Sequence, residues 1–158
     1  MTFYDLNLNG PLLNALDEQG YTNPTTIQYR VFPIVMSGRD VCGIAQTGTG
    51  KTAAFVLPIL QLMYEGKLNN EQPDHKIKAL ILTPTRELAI QIGESIRAYG
   101  HYLPLRHHVV FGGVSQHSQV QAIRRGVDIL VATPGRLLDL MQQGYITLRD
   151  IQYFILDE

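Results

Sequence analysis

Short runs of consecutive apolar residues alternate along this chain with segments of helical apolar spacing, and this alternation limits the possible folds more than any other feature. Five runs have the length of a strand: Val41–Ile44, Ala79–Leu82, His108–Phe111, Ile129–Ala132 and Tyr153–Leu156. Continuous apolar runs are typical of parallel strands that are buried on both faces. The pattern therefore predicts an α/β fold, with a parallel sheet covered by helices on both faces.

The segments between these runs predict helices. The predicted helices cover Gly10–Glu18, a segment that begins near Thr25, Thr52–Met63, Arg86–Tyr99, about Ser115–Arg125 and about Gly135–Gln143. Pro58 should kink its helix or end the first part of it. Cys42, in the middle of the first predicted strand, should be a small buried residue. The polar stretch Glu65–Lys76 is predicted to be a surface loop.

Charge and cysteine content exclude several classes of protein. Thirteen Lys and Arg against fourteen Asp and Glu give a net charge of -1, so a nucleic-acid site would have to be a local patch. The single cysteine excludes an internal disulfide and a zinc site built on several thiolates. The sequence shows neither a secretory signal nor an apolar run of membrane-spanning length. We therefore expect a cytoplasmic protein without a membrane partner.

A glycine-rich octet follows the first apolar run. It consists of Ala45, Gln46, Thr47, Gly48, Thr49, Gly50, Lys51 and Thr52, and it fits the phosphate-binding P-loop with Ala in place of the first Gly. Its glycines allow a tight turn of inward-pointing N–H groups, and the next helix directs its positive end at the same anion. Lys51 can reach the β- and γ-phosphates, and the Thr52 hydroxyl can ligate Mg²⁺. The alternative is a glycine-rich turn with an incidental lysine.

Two carboxylates follow the last apolar run, at Asp157 and Glu158. In a P-loop ATPase, the Asp at the end of a strand holds Mg²⁺ and the next Glu polarises the attacking water. The alternative is a solvated acidic segment. Together with the P-loop, the pair predicts Lys51, Asp157 and Glu158 as catalytic residues, with Thr52 and Asp157 as ligands for the metal.

Further motifs make the chain resemble the DEAD-box RNA helicases. Gly20–Gln28 is similar to the Q motif of that family, and Phe3 stands where the family has an isolated aromatic residue. Pro84–Ala89, Gly112–Gly113, Thr133–Arg136 and Asp157–Glu158 resemble motif Ia, the GG motif, motif Ib and the first half of the DEAD box. Within the family, Phe111–Ser115 and Asp128–Leu140 most resemble the bacterial RhlE-like helicases. The resemblance implies a RecA-like domain, here a Q-motif region at 1–29 and an ATP-binding part at 30–158, in one structural domain.

The resemblance also implies how ATP is recognised. The Gln28 amide has the acceptor and donors to pair with N6 and N7 of adenine, which would select ATP over GTP. Phe3 would stack on the adenine. The alternatives are a hydrophobic staple for Phe3 and a capping or surface residue for Gln28. Tyr21 could belong to the adenine pocket or to the core.

For RNA, the resemblance implies binding along the carboxyl ends of the strands. The expected residues are Pro84, Thr85, Arg86, Gly112, Gly113, Thr133, Pro134, Gly135 and Arg136. Contacts to the sugar-phosphate backbone would make this binding independent of sequence. The alternatives are an ion pair for Arg86, an ordinary turn at Gly112–Gly113 and a surface position for Arg136.

The implied activity is RNA-dependent ATP hydrolysis coupled to local opening of RNA duplexes. Family members use a second RecA-like domain, which supplies arginine fingers, so this chain alone should be largely inactive. In the family, a strand carrying Ser-Ala-Thr follows the DEAD box and takes a central position in the sheet. Because this sequence ends before that strand, this position would be empty, and we expect this to disfavour a well-ordered monomer. The competing classes are a P-loop kinase acting on a small acceptor and a scaffold that only binds nucleotide.

Overall fold

The computed structural model describes residues 1–68 and 76–158. Its elements are a 3₁₀-helix (Phe3–Leu6), α1 (Gly10–Glu18), α2 (Thr26–Met36), α3 (Lys51–Leu68), β1 (Ala79–Leu82), α4 (Arg86–Tyr99), β2 (His107–Val110), α5 (His117–Arg125), β3 (Ile129–Ala132), α6 (Pro134–Gln142) and β4 (Tyr153–Leu156). All the predicted helices are therefore present. The predicted loop at Glu65–Lys76 begins inside α3, and residues 69–75 lie outside the described residues.

The chain divides into two compact units, the first of which comprises Met1–Glu71 and Ser95–Pro104. Its interior contains large side chains with almost no exposed surface, among them Leu12, Leu16, Leu57 and Leu60. These residues come from α1 and α3, whose buried faces exclude water and so stabilise the unit. The phosphate-binding octet lies in this unit.

A buried glutamine joins the two helices of this interior. Gln61 in α3 is 5% exposed, and its Oε1 accepts hydrogen bonds from the backbone N–H and the side-chain amide of Asn9, at 2.9 and 2.7 Å. Asn9 is in turn the N-cap of α1, because its Oδ1 accepts a bond from the Leu12 N–H at 2.9 Å. The amide of Gln61 thus fixes where α1 begins relative to α3.

The second unit comprises Gln72–Glu94 and Leu105–Glu158 and contains the sheet. The four strands are parallel and lie in the order β2-β3-β1-β4. β3 is buried along its whole length, as the continuous apolar run predicted. β4 lies at an edge, where Phe154 and Leu156 are exposed.

Helices cover both faces of this sheet. On one face, Leu80 and Leu130 belong to a buried cluster with Val120 of α5 and Leu137 of α6. On the other face, α4 packs closely, because a Cβ on Gly93 would lie 2.5 Å from Cγ2 of Val109. The predicted α/β class, a parallel sheet between helices, is confirmed.

The first predicted strand is wrong. Val41–Ile44 has no regular secondary structure, and Val41 and Ile44 are 41% and 89% exposed. Cys42, expected to be buried, is also exposed. An apolar run becomes a strand only when a neighbouring strand pairs with its backbone groups, and residue types alone do not supply that partner. The helix-ending role considered for Pro58 is wrong as well, since α3 continues through it to Leu68.

The two compact units divide the chain at residues other than 29 and 30. They do not test a division drawn by motifs, so the Q-motif region and the ATP-binding part remain a prediction. Within residues 1–68 and 76–158, none of the helices combines the length and apolar character needed to cross a bilayer.

Candidate functional site

The phosphate-binding octet forms a turn that leads directly into α3. Gly48 and Gly50 have φ angles of +81° and +86°, which side chains with a Cβ rarely adopt. The Thr49 hydroxyl donates to the carbonyl of Gln46 at 2.6 Å and closes the turn. α3 then begins at Lys51, so its unpaired N–H groups and positive end lie at the turn, as an anion site requires. Among the described residues Lys51 has no ion-pair partner.

Gln28 lies against this turn. Its side chain is 8% exposed, its Oε1 accepts a bond from the N–H of Thr25 at 3.0 Å, and its Nε2 donates to the carbonyl of Gly50 at 3.2 Å. Thr25 and Gln28 thus form a capping box at the start of α2. These bonds use one acceptor site and one donor of the amide, so one of each remains. The capping interpretation of Gln28 is confirmed, and the pairing of its amide with adenine remains a prediction.

The two aromatic residues of this region differ in exposure. Phe3 is 3% exposed, and its backbone N–H donates to the carbonyl of Thr22 at 3.1 Å. Tyr21 is 50% exposed and lies with its ring centroid 6.2 Å from that of Tyr99. Burial, followed by the charge of Tyr21, raises the pKa of Tyr99 to about 12. Phe3 is thus part of the interior, whereas Tyr21 presents an accessible ring; adenine stacking by Phe3 remains a prediction.

The carboxyl ends of the strands form a continuous edge in the second unit. The N–H of Thr133 donates to Val110, that of Thr83 to Ala132 and that of Asp157 to Leu82, at 3.1, 3.0 and 2.9 Å. Thr133, Thr83 and Asp157 therefore form the row that follows β3, β1 and β4. Thr83 is 1% exposed, and its buried hydroxyl has no hydrogen-bond partner in the described part of the chain. Parallel sheets bind their ligands at this edge.

Two further groups on this edge follow β1, at the start of α4. Thr85 accepts a bond from the N–H of Leu88 at 3.3 Å through its hydroxyl and so caps α4. The guanidinium carbon of Arg86 lies 4.8 Å from the centre of the Phe111 ring. This geometry is that of a cation–π contact, in which the ring supports the arginine without neutralising its charge. Arg86 is exposed, so its charge is available to an anion.

Arg136 is directed into the protein. Its Nη1 donates to Oε1 of Gln119 and its Nη2 to the carbonyl of Val114, both at 2.9 Å, and its Nε lies 3.7 Å from Asp139. The side chain is 12% exposed. The structure therefore places Arg136 beside the predicted RNA-binding residues, with its guanidinium engaged by protein groups. The surface alternative considered for it is wrong.

Gln119 is a site residue that the sequence did not reveal. It lies in α5 and is 4% exposed, and its Nε2 donates to the carbonyl of Phe111 at 3.1 Å. A glutamine in a helix is normally a solvated residue, and no spacing marks this one. In the sequence, only its position next to the apolar Val120 could have indicated that Gln119 is buried.

The remaining predicted residues are distributed between the units. The octet, which includes Thr52, belongs to the first unit, and Asp157 and Glu158 belong to the second. Pro134 and Gly135 are exposed in the first turn of α6, and Gly112 and Gly113 are exposed after β2. Within residues 1–68 and 76–158, His, Cys, Asp and Glu form no group of three that could hold a metal ion.

Comparisons with known proteins give one consistent result. The profile of the family described as "DEAD/DEAH box helicase" matches residues 25–158. The chain is 44% identical over 99% of its length to "DEAD-box ATP-dependent RNA helicase 24" of Arabidopsis thaliana, and 42% identical over its whole length to "DEAD-box ATP-dependent RNA helicase CshA" of Streptococcus pneumoniae. It spans 20% and 29% of these two relatives.

A solved structure agrees with these sequence matches. The crystal structure of a "hypothetical ATP-dependent RNA helicase from Sulfolobus tokodaii" is similar over 96% of this chain and 41% of that one. The TM-score is 0.84 and the sequence identity is 38%.

Proposed function

Because the chain belongs to the DEAD/DEAH box helicase family, we propose that it is the ATP- and RNA-binding N-terminal domain of an RNA helicase. In the parent protein, RNA-stimulated ATP hydrolysis is coupled to local opening or remodelling of RNA duplexes. The chain spans 20% and 29% of the Arabidopsis and Streptococcus helicases named above, so this activity is assigned to the longer protein. The isolated domain is expected to hydrolyse little ATP, because a second RecA-like domain would supply the arginine fingers.

The nucleotide phosphates bind at the turn before α3. The left-handed glycines, the helix that begins at Lys51 and the unpaired lysine all suit a polyphosphate. Lys51 would interact with the β- and γ-phosphates, and Thr52 and Asp157 are the residues that would hold Mg²⁺. When bound, Mg²⁺ supplies positive charge that offsets the charge developing on the phosphoryl oxygens. Glu158 polarises the attacking water.

Gln28 reads the adenine base. Its remaining acceptor and donor match the N6 amino group and N7 of adenine, whereas guanine presents two acceptors at the same edge. The bond from Gln28 to Gly50 supports this role, because it attaches the base-reading amide to the loop that holds the phosphates. Phe3 is proposed to contribute a ring surface to the same base.

RNA binds along the carboxyl edge of the sheet. Thr85, Arg86, the Gly112–Gly113 backbone, Thr133 and Gly135 are exposed or half-buried there, and Pro84 and Pro134 are exposed beside them. Arg136 adjoins this edge with its guanidinium bonded to protein groups. One exposed arginine, small side chains and backbone N–H groups suit a sugar-phosphate chain and do not distinguish bases. The binding is therefore proposed to be independent of sequence, with 2′-hydroxyl contacts selecting RNA.

One observation carries the proposal: the residues matched by the helicase family contain both the turn with positive φ at Gly48 and Gly50 and the exposed Arg86 supported by the Phe111 ring. The test is ATP hydrolysis by the full-length parent protein with and without single-stranded RNA. RNA should raise the rate at least several-fold. Phosphoryl transfer to a small acceptor without RNA would support a P-loop kinase, and nucleotide binding without turnover would support a scaffold.

Two finer assignments accompany this proposal. The segments Phe111–Ser115 and Asp128–Leu140 support membership of the bacterial RhlE-like subgroup. A cytoplasmic location is proposed from the single cysteine, which is typical of a reducing compartment.

A further inference from the structure

The Gly112–Gly113 turn is held at both ends by side chains. The carbonyl before it, of Phe111, accepts a bond from Nε2 of Gln119 at 3.1 Å. The carbonyl after it, of Val114, accepts a bond from Nη2 of Arg136 at 2.9 Å. Nη1 of the same guanidinium donates to Oε1 of Gln119 at 2.9 Å. We call this connected pair of side chains the Gln119–Arg136 clamp.

The turn needs such a constraint. Two consecutive glycines have more accessible backbone conformations than any other dipeptide, and Gly113 has a φ of +81°. Both glycines are exposed, whereas Gln119 is 4% exposed and the Arg136 side chain 12%. The clamp is therefore a buried support for this loop, provided by α5 and α6, and the exposed glycines are the part that a ligand can approach.

The clamp also reaches the exposed arginine of the same surface. Its bond to Phe111 fixes the residue whose ring lies 4.8 Å from the guanidinium of Arg86. A change at Gln119 should thus affect the glycine backbone and the support of Arg86 together.

We propose that Gln119 is a positioning residue for RNA binding: with Arg136, it holds the Gly112–Gly113 turn and Phe111 in the conformation that accepts the RNA backbone. Arg136 acts in this arrangement through protein contacts and is not a phosphate ligand. This inference rests on the proposed RNA-binding surface. It adds Gln119, which the motifs do not contain, to the residues that support RNA binding, and it assigns Arg136 to positioning instead of direct RNA contact.

The test uses the full-length parent protein and three single substitutions. Gln119→Met keeps the length of the side chain and removes both of its hydrogen bonds. Gln119→Glu keeps an acceptor for Arg136 and removes the donor to Phe111. Gln121→Met, at an exposed position of the same helix, is the matched control. RNA-stimulated ATP hydrolysis is measured against RNA concentration, and folding is checked by thermal unfolding.

The RNA concentration for half-maximal stimulation should rise about tenfold for Gln119→Met, as expected for a lost hydrogen-bonding constraint. It should rise by less for Gln119→Glu and stay unchanged for Gln121→Met. In both Gln119 variants this concentration should change more than the rate at saturating RNA. The inference is overturned if Gln119→Met matches Gln121→Met, or if both Gln119 variants lower thermal stability without changing the RNA dependence.

The role of Arg136 is tested by the salt dependence of RNA affinity. If Arg136 acts through the clamp, Arg136→Ala should leave the slope of log affinity against log salt unchanged, and its effect should not add to that of Gln119→Met. If Arg136 binds a phosphate, the slope should fall by roughly 0.7 to 1 and the two effects should add, which would overturn this part. Absence of RNA stimulation in the unmodified protein would instead contradict the proposed function itself.

Discussion

Gln28 donates a hydrogen bond from its side-chain amide to the backbone carbonyl of Gly50 at 3.2 Å, across 22 positions of the chain. A side chain at Gly50 would be strained, because its φ is +86° and a Cβ there would clash with Nε2 of Gln28 and approach Oγ1 of Thr25 to 3.0 Å. The first turn of α2 and the phosphate-binding turn are therefore one packed unit. A change at Gln28 should affect both base recognition and phosphate binding.

Gln28→Ala should weaken ADP binding by about 1–3 kcal/mol, the usual cost of leaving buried polar partners unmatched. It should also lower the free energy of unfolding by about 1 kcal/mol, because the capping box of α2 is lost. Calorimetric titrations with ADP and GDP separate the contribution of base recognition to nucleotide affinity from that of phosphate binding. A larger loss for ADP than for GDP indicates base reading, and an equal loss indicates that Gln28 acts only on the turn. Gln19→Ala, an exposed position after α1, is the control.

Lys51→Ala should abolish measurable ATP hydrolysis by the full-length parent protein and leave its fold intact. The ammonium group stabilises charge on the transferring phosphoryl group, where electrostatic interactions contribute most to the rate. Steady-state phosphate release measures the effect, and circular dichroism checks the fold. Lys67→Ala, in the last turn of the same helix, should retain the rate. Survival of most of the RNA-stimulated rate in Lys51→Ala would contradict the assignment of the turn.

Arg86→Ala should weaken RNA binding and reduce the slope of log affinity against log salt by roughly 0.7 to 1, because one phosphate contact is lost. Arg86→Lys should restore the slope and not the full affinity, since an ammonium group does not reproduce the planar stack on Phe111. Fluorescence anisotropy of labelled RNA at several salt concentrations gives both quantities. Arg97→Ala, exposed near the end of α4, should change neither. An unchanged slope in Arg86→Ala would mean that this guanidinium meets no phosphate.

The free energy of unfolding should decrease at acid pH because of His108. Burial, and then the positive charge of Arg125, lowers the pKa of this half-buried histidine. The folded state therefore favours the neutral ring, while the unfolded chain takes up a proton near the ordinary value of about 6.5. The free energy of unfolding should decrease as the pH falls from about 6.5 to the lowered folded-state pKa.

Urea unfolding between about pH 7.5 and pH 5 tests this sign. His108→Gln should show a smaller acid-side decrease than the unmodified protein, and His117→Gln, at an exposed position, should show the same decrease as the unmodified protein. An acid-side decrease of unchanged size in His108→Gln would assign the effect to other groups.

Local sequence signals predicted most of the secondary structure. The bounds of β1, β3, β4, α1 and α4 agree with the predicted ones, because each element carries its own apolar run or helical periodicity. Positive φ at Gly48 and Gly50 likewise follows from the residue type and the motif. The failure at Val41–Ile44 marks the limit of such signals, since these residues have strand composition and no strand.

The sequence by itself determined the α/β class, the turn before α3 and the family, because all three depend on residue types at fixed spacing along the chain. Only the tertiary structure decided which polar side chains are shared between elements. Gln28, Gln61 and Gln119 are all buried, and each is held by groups 8 to 54 positions away. Glutamine has no preference of its own for such places. Its amide becomes ordered there because packing removes water, and a buried donor or acceptor must then find its partner within the protein.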